Sequence, residues 1–173
     1  MYDLQKIARE CLAEVTAAGI TPGKILGFSA NNRLTACHGK TKGQRTKGTW
    51  DYTFTIEIAG FLLNDACPLE SLKNTVIHEI LHTCEGCQNH GATWQRHART
   101  INRKYGYSIS TYADEKEIAA TAQARLKANP PKYTTVCNKC GFTEYSYRMS
   151  GFVRDPGRYL CPVCHCSNWT RQP

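Results

Sequence analysis

His78-Glu79-Ile80-Leu81-His82 lies in a stretch whose apolar residues Leu72, Val76, Ile77, Ile80 and Leu81 recur at three- and four-residue spacing. That periodicity predicts a helix from Pro68 or Leu69 to Cys84, with the motif inside it. Pro68 suits an early helical position, and Glu70 suits the positive end of the dipole. At 3.6 residues per turn, positions 78 and 82 project from one face. Two imidazoles so placed reach a single zinc ion, and Glu79 stands beside them to take a proton from water whose pKa the metal lowers to roughly 7.

A zinc that does chemistry takes three protein ligands and keeps one open position. Downstream candidates are His90, His97, Glu115 and Glu117. A metzincin pattern requires glycine at 85 and histidine at 88, where this chain has Glu85 and Gln88. Gly86 permits a turn that returns the chain through Cys87-Gln88-Asn89-His90-Gly91, so the reading favours His90. Trp94 then packs at the start of a third helix, expected from Ala92 to Tyr105 and stopped by Gly106. His97 faces outward or packs on that helix. Cys84 and Cys87 read as small thiols in the helix-ending turn.

Working outward, residues 2–18 form an amphipathic helix through Leu4, Ile7, Cys11, Leu12, Val15 and Ala18, stopped by Gly19. Strands are expected at Ile25 to Phe28, at Leu34 to Cys37 and, with β-branched and aromatic alternation, at Tyr52 to Ile58. Residues 39–48 lack apolar side chains and carry Lys40, Lys42, Arg45 and Lys47. They read as a mobile loop, either solubilising or in contact with phosphate. Residues 114–128 look helical, and Asn129-Pro130-Pro131 marks a boundary between a domain of residues 1–129 and one of residues 130–173.

The second constellation is Cys137-Asn138-Lys139-Cys140 with Cys161-Pro162-Val163-Cys164. Two CxxC knuckles hold a structural zinc tetrahedrally in a ribbon. Strands are expected at Tyr145 to Met149 and Arg158 to Leu160. So small a unit depends on metal for its stability. Lys139, Arg148 and Arg158 interleave with aromatics including Trp169, a combination suited to single-stranded or frayed nucleic acid. Cys166 is a spare thiol.

The 173 residues bear a net charge of +8 and ten cysteines. Residues 1–129 hold 16 Lys and Arg against 12 Asp and Glu, and residues 130–173 hold 6 against 2, so the tail is the more basic part per residue. Basic charge favours polyanions through counterion release. No apolar run approaches the length of a membrane span. The first residues have no secretory pattern, so a cytoplasmic protein is expected, its clustered thiols holding metal rather than disulfides; it is expected to be a monomer, nucleoid-associated, or in the host cytoplasm if phage-encoded.

Taken in order, the N-terminal helix, Asn32-Arg33-Leu34 to Gly39, the Ile56 strand, HEILH, His90-Gly91-Ala92-Thr93-Trp94 and the four-cysteine ribbon resemble the SprT-like zinc metalloproteases, among them the Spartan-type enzymes. The resemblance implies an α+β, zincin-like core with one catalytic zinc on His78, His82 and His90 and with Glu79 as base. It also implies a protein or peptide substrate. Eukaryotic members cleave proteins covalently trapped on DNA and are stimulated by DNA, although their C-terminal elements differ from this ribbon. The residues alone also admit a non-catalytic, zinc-stabilised nucleic-acid adaptor, or a peptidase of a dedicated regulator without DNA.

Overall fold

The computed structural model describes residues 1–34, 37–45, 47–48, 51–112, 121–122, 124–127 and 130–172. Its backbone divides into two compact units, Met1–Ala128 and Asn129–Pro173. Most of the helix expected at 114–128, with Glu115 and Glu117, lies outside the described residues, as does the middle of the strand expected at Leu34 to Cys37. Within the described residues, Leu34 and Cys37 themselves are not in a strand.

In the first unit, α1 (Leu4–Ala17) starts where the Asp3 carboxylate accepts the backbone N–H groups of Gln5 and Lys6 at 2.9 and 3.1 Å. Its buried stripe is Leu4, Ile7, Ala8, Cys11 and Val15. Strand β1 (Lys24–Asn31) runs parallel to β3 (Tyr52–Ala59), and β2 (Gly39–Arg45) pairs antiparallel with β3 on its other side. The sheet order is therefore β1-β3-β2. The central strand turns Phe54, Ile56 and Ile58 into the core, and Thr53, Thr55 and Glu57 away from it.

Strand β2 corrects the reading of residues 39–48 as a mobile loop. Seven of them form an edge strand in register from Gly39↔Ile58 to Arg45↔Tyr52. Its inward positions are Gly39, Thr41 and Gly43, which lets the backbone approach what lies beneath, so no apolar alternation shows in the sequence.

A 3-10 helix (Gly60–Leu63) leads to α2 (Leu69–Leu81), whose Leu72, Val76, Ile77, Ile80 and Leu81 are fully buried. Burial of each such side chain contributes about 1.5–3 kcal/mol before ordering costs. The helix is three residues shorter than the periodicity predicts, so His82 caps it rather than lying inside it. Gly23 holds the start of β1 against this end of α2. A Cβ there would meet the Thr83 carbonyl oxygen at 2.4 Å, and the Gly23 N–H donates to Thr83 Oγ1 at 3.1 Å. Helix α3 (Ala92–Tyr105) ends at Gly106, whose φ of 76° is left-handed.

The second unit is a three-stranded antiparallel sheet in the order β5-β4-β6, formed by β4 (Tyr133–Cys137), β5 (Thr143–Ser146) and β6 (Trp169–Gln172). The expected strand at Tyr145 to Met149 starts earlier and stops at Ser146. Arg158 lies in a 3-10 turn (Pro156–Arg158) rather than a strand. The third strand instead follows the second cysteine pair. Short elements pinned by knuckles and aromatic packing need no long alternating pattern, which is why periodicity misplaced them.

Candidate metal centre

Three histidines from two segments converge. His78 and His82 are one turn apart at the end of α2. The chain then turns at Cys84 to Cys87, where the Cys87 N–H donates to the Cys84 carbonyl at 3.1 Å and Gly86 takes a φ of 69°. It returns with His90, which precedes the Gly91 cap of α3. Gln95 Nε2 donates to the His90 carbonyl at 3.0 Å, and the Gly91 N–H donates to Asn89 Oδ1 at 3.0 Å. The Nε2 atoms are 3.2 Å apart for His78 and His82, 3.1 Å for His82 and His90, and 3.0 Å for His90 and His78.

The opposite ring nitrogens fix the chemistry. His78 Nδ1 lies 3.0 Å from the Ser110 carbonyl oxygen, and His82 Nδ1 lies 2.8 Å from that of Cys87. A carbonyl only accepts, so each Nδ1 carries the proton and each Nε2 presents a lone pair. Two bare lone pairs at 3.2 Å have no proton to share. They call for a cation. Atoms arranged tetrahedrally about zinc at about 2.0–2.1 Å stand about 3.3 Å from one another, close to the spacing here. Burial, reinforced by His82 and His90, pushes the His78 imidazole down to about 3, and burial with His82 also lowers His90. Neutral imidazole is the form a metal binds.

Trp94 braces all three rings. It is 1% exposed, with centroid separations of 4.8, 5.7 and 4.6 Å to His78, His82 and His90.

Glu79 is buried beside this cluster. Its carboxyl is raised by burial, against which the Thr41 hydroxyl and Thr41 backbone N–H act. The hydroxyl oxygen lies 2.7 Å from Oε2. A Cβ at Gly39 would stand 2.6 Å from Glu79 Cγ and 2.8 Å from Oε1. Thr41 and Gly39 escaped the sequence reading because their strand did. Their alternating positions were the available signal. The carbonyls of Ser110 and Cys87 carry no sequence signal at all.

His97 is half-buried on α3 and does not join the cluster. Cys84 and Cys87 are buried in the turn, and burial raises both thiols, Cys84 to about 12.

In the second unit, Cys137, Cys140, Cys161 and Cys164 bring their sulfurs within 4.8 Å of one another. Cys137 Sγ is 3.5 Å from Cys164 Sγ, and Cys140 Sγ is 3.6 Å from Cys161 Sγ. Tetrahedral thiolates at about 2.3 Å from zinc lie about 3.8 Å apart, so this donor set also fits zinc. Burial pushes the Cys137 thiol up, but the N–H groups of Cys140 and Lys139 outweigh it and hold the thiol at about 6. Cys164 is lowered by the Cys166 amide, yet burial and the neighbouring sulfurs carry it to about 12. Four thiolates thus need a cation to coexist. Cys166 stays apart, its sulfur accepting the Asn168 N–H at 3.2 Å.

The basic residues singled out in the sequence lie in both units. Lys40 and Lys42 point to the outer face of the sheet, and Lys42 is ion-paired with Glu57. Arg45 and Lys47 are exposed at the end of β2 and beyond it. In the second unit, Lys139 and Arg148 are exposed, and Arg158 pairs with Asp155 at 2.7 Å. Trp169 is engaged in packing: its ring meets Phe152 edge-on at 5.1 Å, and its Nε1 donates to the Tyr159 carbonyl at 2.9 Å.

A mixed α+β unit with an HExxH helix, a third histidine from the following turn and a buried glutamate has the donor set of a metallopeptidase-like protein. The SprT-like family model matches residues 8–113. The chain belongs to the SprT-like family. Among curated proteins, none matches it closely enough to count as a relative. No helix among the described residues is long and apolar enough to cross a membrane.

Proposed function

We propose that the chain is a zinc-dependent endopeptidase with a zincin-like core, acting on proteins associated with DNA. The observation that carries this reading is the meeting of three Nε2 atoms at 3.0–3.2 Å, two of them with Nδ1 tied to a carbonyl, beside the buried Glu79. Bound to His78, His82 and His90, zinc supplies Lewis acidity toward a peptide carbonyl and toward water. Glu79 takes the proton of the attacking water and delivers it to the leaving amine. Thr41 holds the carboxylate in place through Oε2. Strand β2 is an edge of its sheet and lies against Glu79, so an extended substrate segment pairs along it by backbone hydrogen bonds. The four-cysteine site holds a second, structural zinc in a ribbon, and such thiolates suit a reducing cytoplasm.

Association with DNA is supported by the net charge of +8 and by exposed Lys40, Arg45, Lys47, Lys139 and Arg148. The test incubates the full chain, loaded with two zinc ions, with a DNA-binding protein in the absence of DNA, with single-stranded DNA and with duplex. Cleavage stimulated by DNA, abolished by a chelator and lost in Glu79→Gln with zinc retained is the expected result. Undiminished cleavage by Glu79→Gln removes the assigned base, and equal cleavage with and without DNA removes the DNA-linked substrate.

A further inference from the structure

Helix α3 carries Arg96, Arg99, Arg103 and Lys104 and no carboxylate. The three arginines are exposed, while Trp94, Ala98 and Ile101 of the same helix are buried. Steps of three and four residues set the arginines in one row over about 10 Å, at about 1.5 Å per residue. Among the described residues no carboxylate pairs with any of them. Other cations are paired: Lys42 with Glu57, Lys73 with Glu10 and Glu14, and Arg158 with Asp155. Lys104 is also engaged, donating to the Ala17 carbonyl and lying over the Tyr105 ring.

Arg103 in the last turn suits the helix dipole, but the rest of this arrangement costs the helix stability. Like charges at these spacings repel. Arg96 sits in the N-terminal half of α3, toward the positive end of the dipole, and the first turn has no acidic residue to offset it. A surface that serves solubility intersperses both signs, as α1 does with Lys6, Arg9, Glu10 and Glu14. An uncompensated row is relieved by an external polyanion. No large apolar side chain of α3 is exposed, so the row offers a protein groove nothing to bury. Guanidinium forks match phosphate oxygens two at a time.

We propose that Arg96, Arg99 and Arg103 form a docking row for the phosphodiester backbone of a nucleic acid. The nucleic-acid strand rests on the helix that begins two residues after His90 and whose Trp94 braces the three histidine rings. The inference deepens the DNA-associated reading and rests on it for its partner, but not on hydrolysis.

The test measures binding of fluorescent single-stranded DNA and duplex to the full-length, zinc-loaded Glu79→Gln protein across a salt series. Replacing all three arginines with glutamine lowers the slope of log K against log salt by about 2.7 on duplex and about 2 on single strands, from 0.9 and 0.7 per phosphate contact. Arg99→Gln alone lowers it by about 0.9 on duplex, which keeps the test open if the triple variant folds poorly. The triple arginine-to-lysine variant keeps the parental slope. So does a control of equal charge loss, Lys6→Gln with Arg9→Gln and Lys127→Gln. An unchanged slope in the glutamine variants overturns the docking row while leaving DNA association standing. An equal drop in the control reduces the effect to net charge and overturns it too. Failure of the parent to bind either nucleic acid sinks both this row and the DNA-associated reading.

Discussion

The Thr41 hydroxyl on the edge strand β2 lies 2.7 Å from Oε2 of Glu79 on α2, so the sheet edge and the proposed base are tied together. The same hydroxyl oxygen is 2.9 Å from the Glu79 backbone carbonyl, and one hydroxyl proton serves only one of the two at a time. Glu79 is buried, and the Thr41 backbone N–H acts on its carboxyl as well.

Thr41→Val keeps the shape of the side chain and deletes that donor. Hydrogen bonds to charged groups contribute about 1.5–3 kcal/mol, so kcat/KM falls about tenfold or more. Zinc content stays at two per chain. Thr41→Ser restores most of the rate. A valine variant with parental kcat/KM shows that the hydroxyl does not position the base.

Gly39 offers a sharper test because the constraint is steric. Gly39→Ala places a methyl 2.6 Å from Glu79 Cγ, closer than carbon atoms approach, and the carboxylate must move. Displacement of a catalytic group by about 1 Å costs on the order of a hundredfold in rate. Gly27→Ala on β1 is the matched control, since nothing lies within 4 Å of a Cβ there. Peptidase assays of both variants, each with its zinc counted, separate displacement of Glu79 from a general weakening of the sheet.

Glu57 gives a prediction that does not involve the metal centre. On the central strand it accepts from Asn31 Nδ2 of β1 at 2.9 Å and is ion-paired with Lys42 of β2, so one carboxylate spans all three strands. The Lys42 contact, then Asn31, holds it below the usual carboxylate range. A depressed folded-state value contributes stability that is present above the ordinary glutamate pKa and is lost as pH falls through the folded value. Thermal melts should therefore show Glu57→Gln below the parent in Tm at neutral pH and level with it in strong acid. The pair is partly solvated, so salt narrows the gap.

The parts legible in sequence were those fixed by local pattern. Glycine punctuation marks α3, whose limits of Ala92 and Tyr105 agree with the Gly91 entry and the Gly106 stop, and Gly86 is the turn signal for the return of His90. Strand β2 was illegible because close approach to Glu79 and Phe54 demands Gly39 and Gly43, the residues that most resemble a loop. The strands of the second unit differ from the expected ones because cysteine pairs and the Phe152–Trp169 contact organise them, and neither has a period. The carbonyls that orient His78 and His82 belong to the backbone, which no side-chain motif reports. The arginine row on α3 carries no packing signal, since it lies on exposed positions of a helix whose buried face alone sets the apolar pattern.

Trp94 joins core packing to the proposed metal site, and its removal tests both. Trp94→Ala opens a cavity behind three imidazoles and costs about 3–5 kcal/mol of stability. The rings lose the surface that holds them in convergence, and loss of such outer support weakens metal affinity about 10–100-fold. Competition with a chromophoric chelator measures that directly, and the four-cysteine site should keep its zinc throughout. Trp94→Phe retains a ring against His78 and His90 and should fall between the parent and the alanine variant in both readouts. A metal bound only by the folded state stabilises it in proportion to its binding, so the gap in Tm between zinc-loaded and chelated protein should shrink in the same order. An alanine variant that melts early yet titrates zinc like the parent assigns Trp94 to the core alone and leaves the two carbonyl contacts, from Ser110 and Cys87, to orient the ligands.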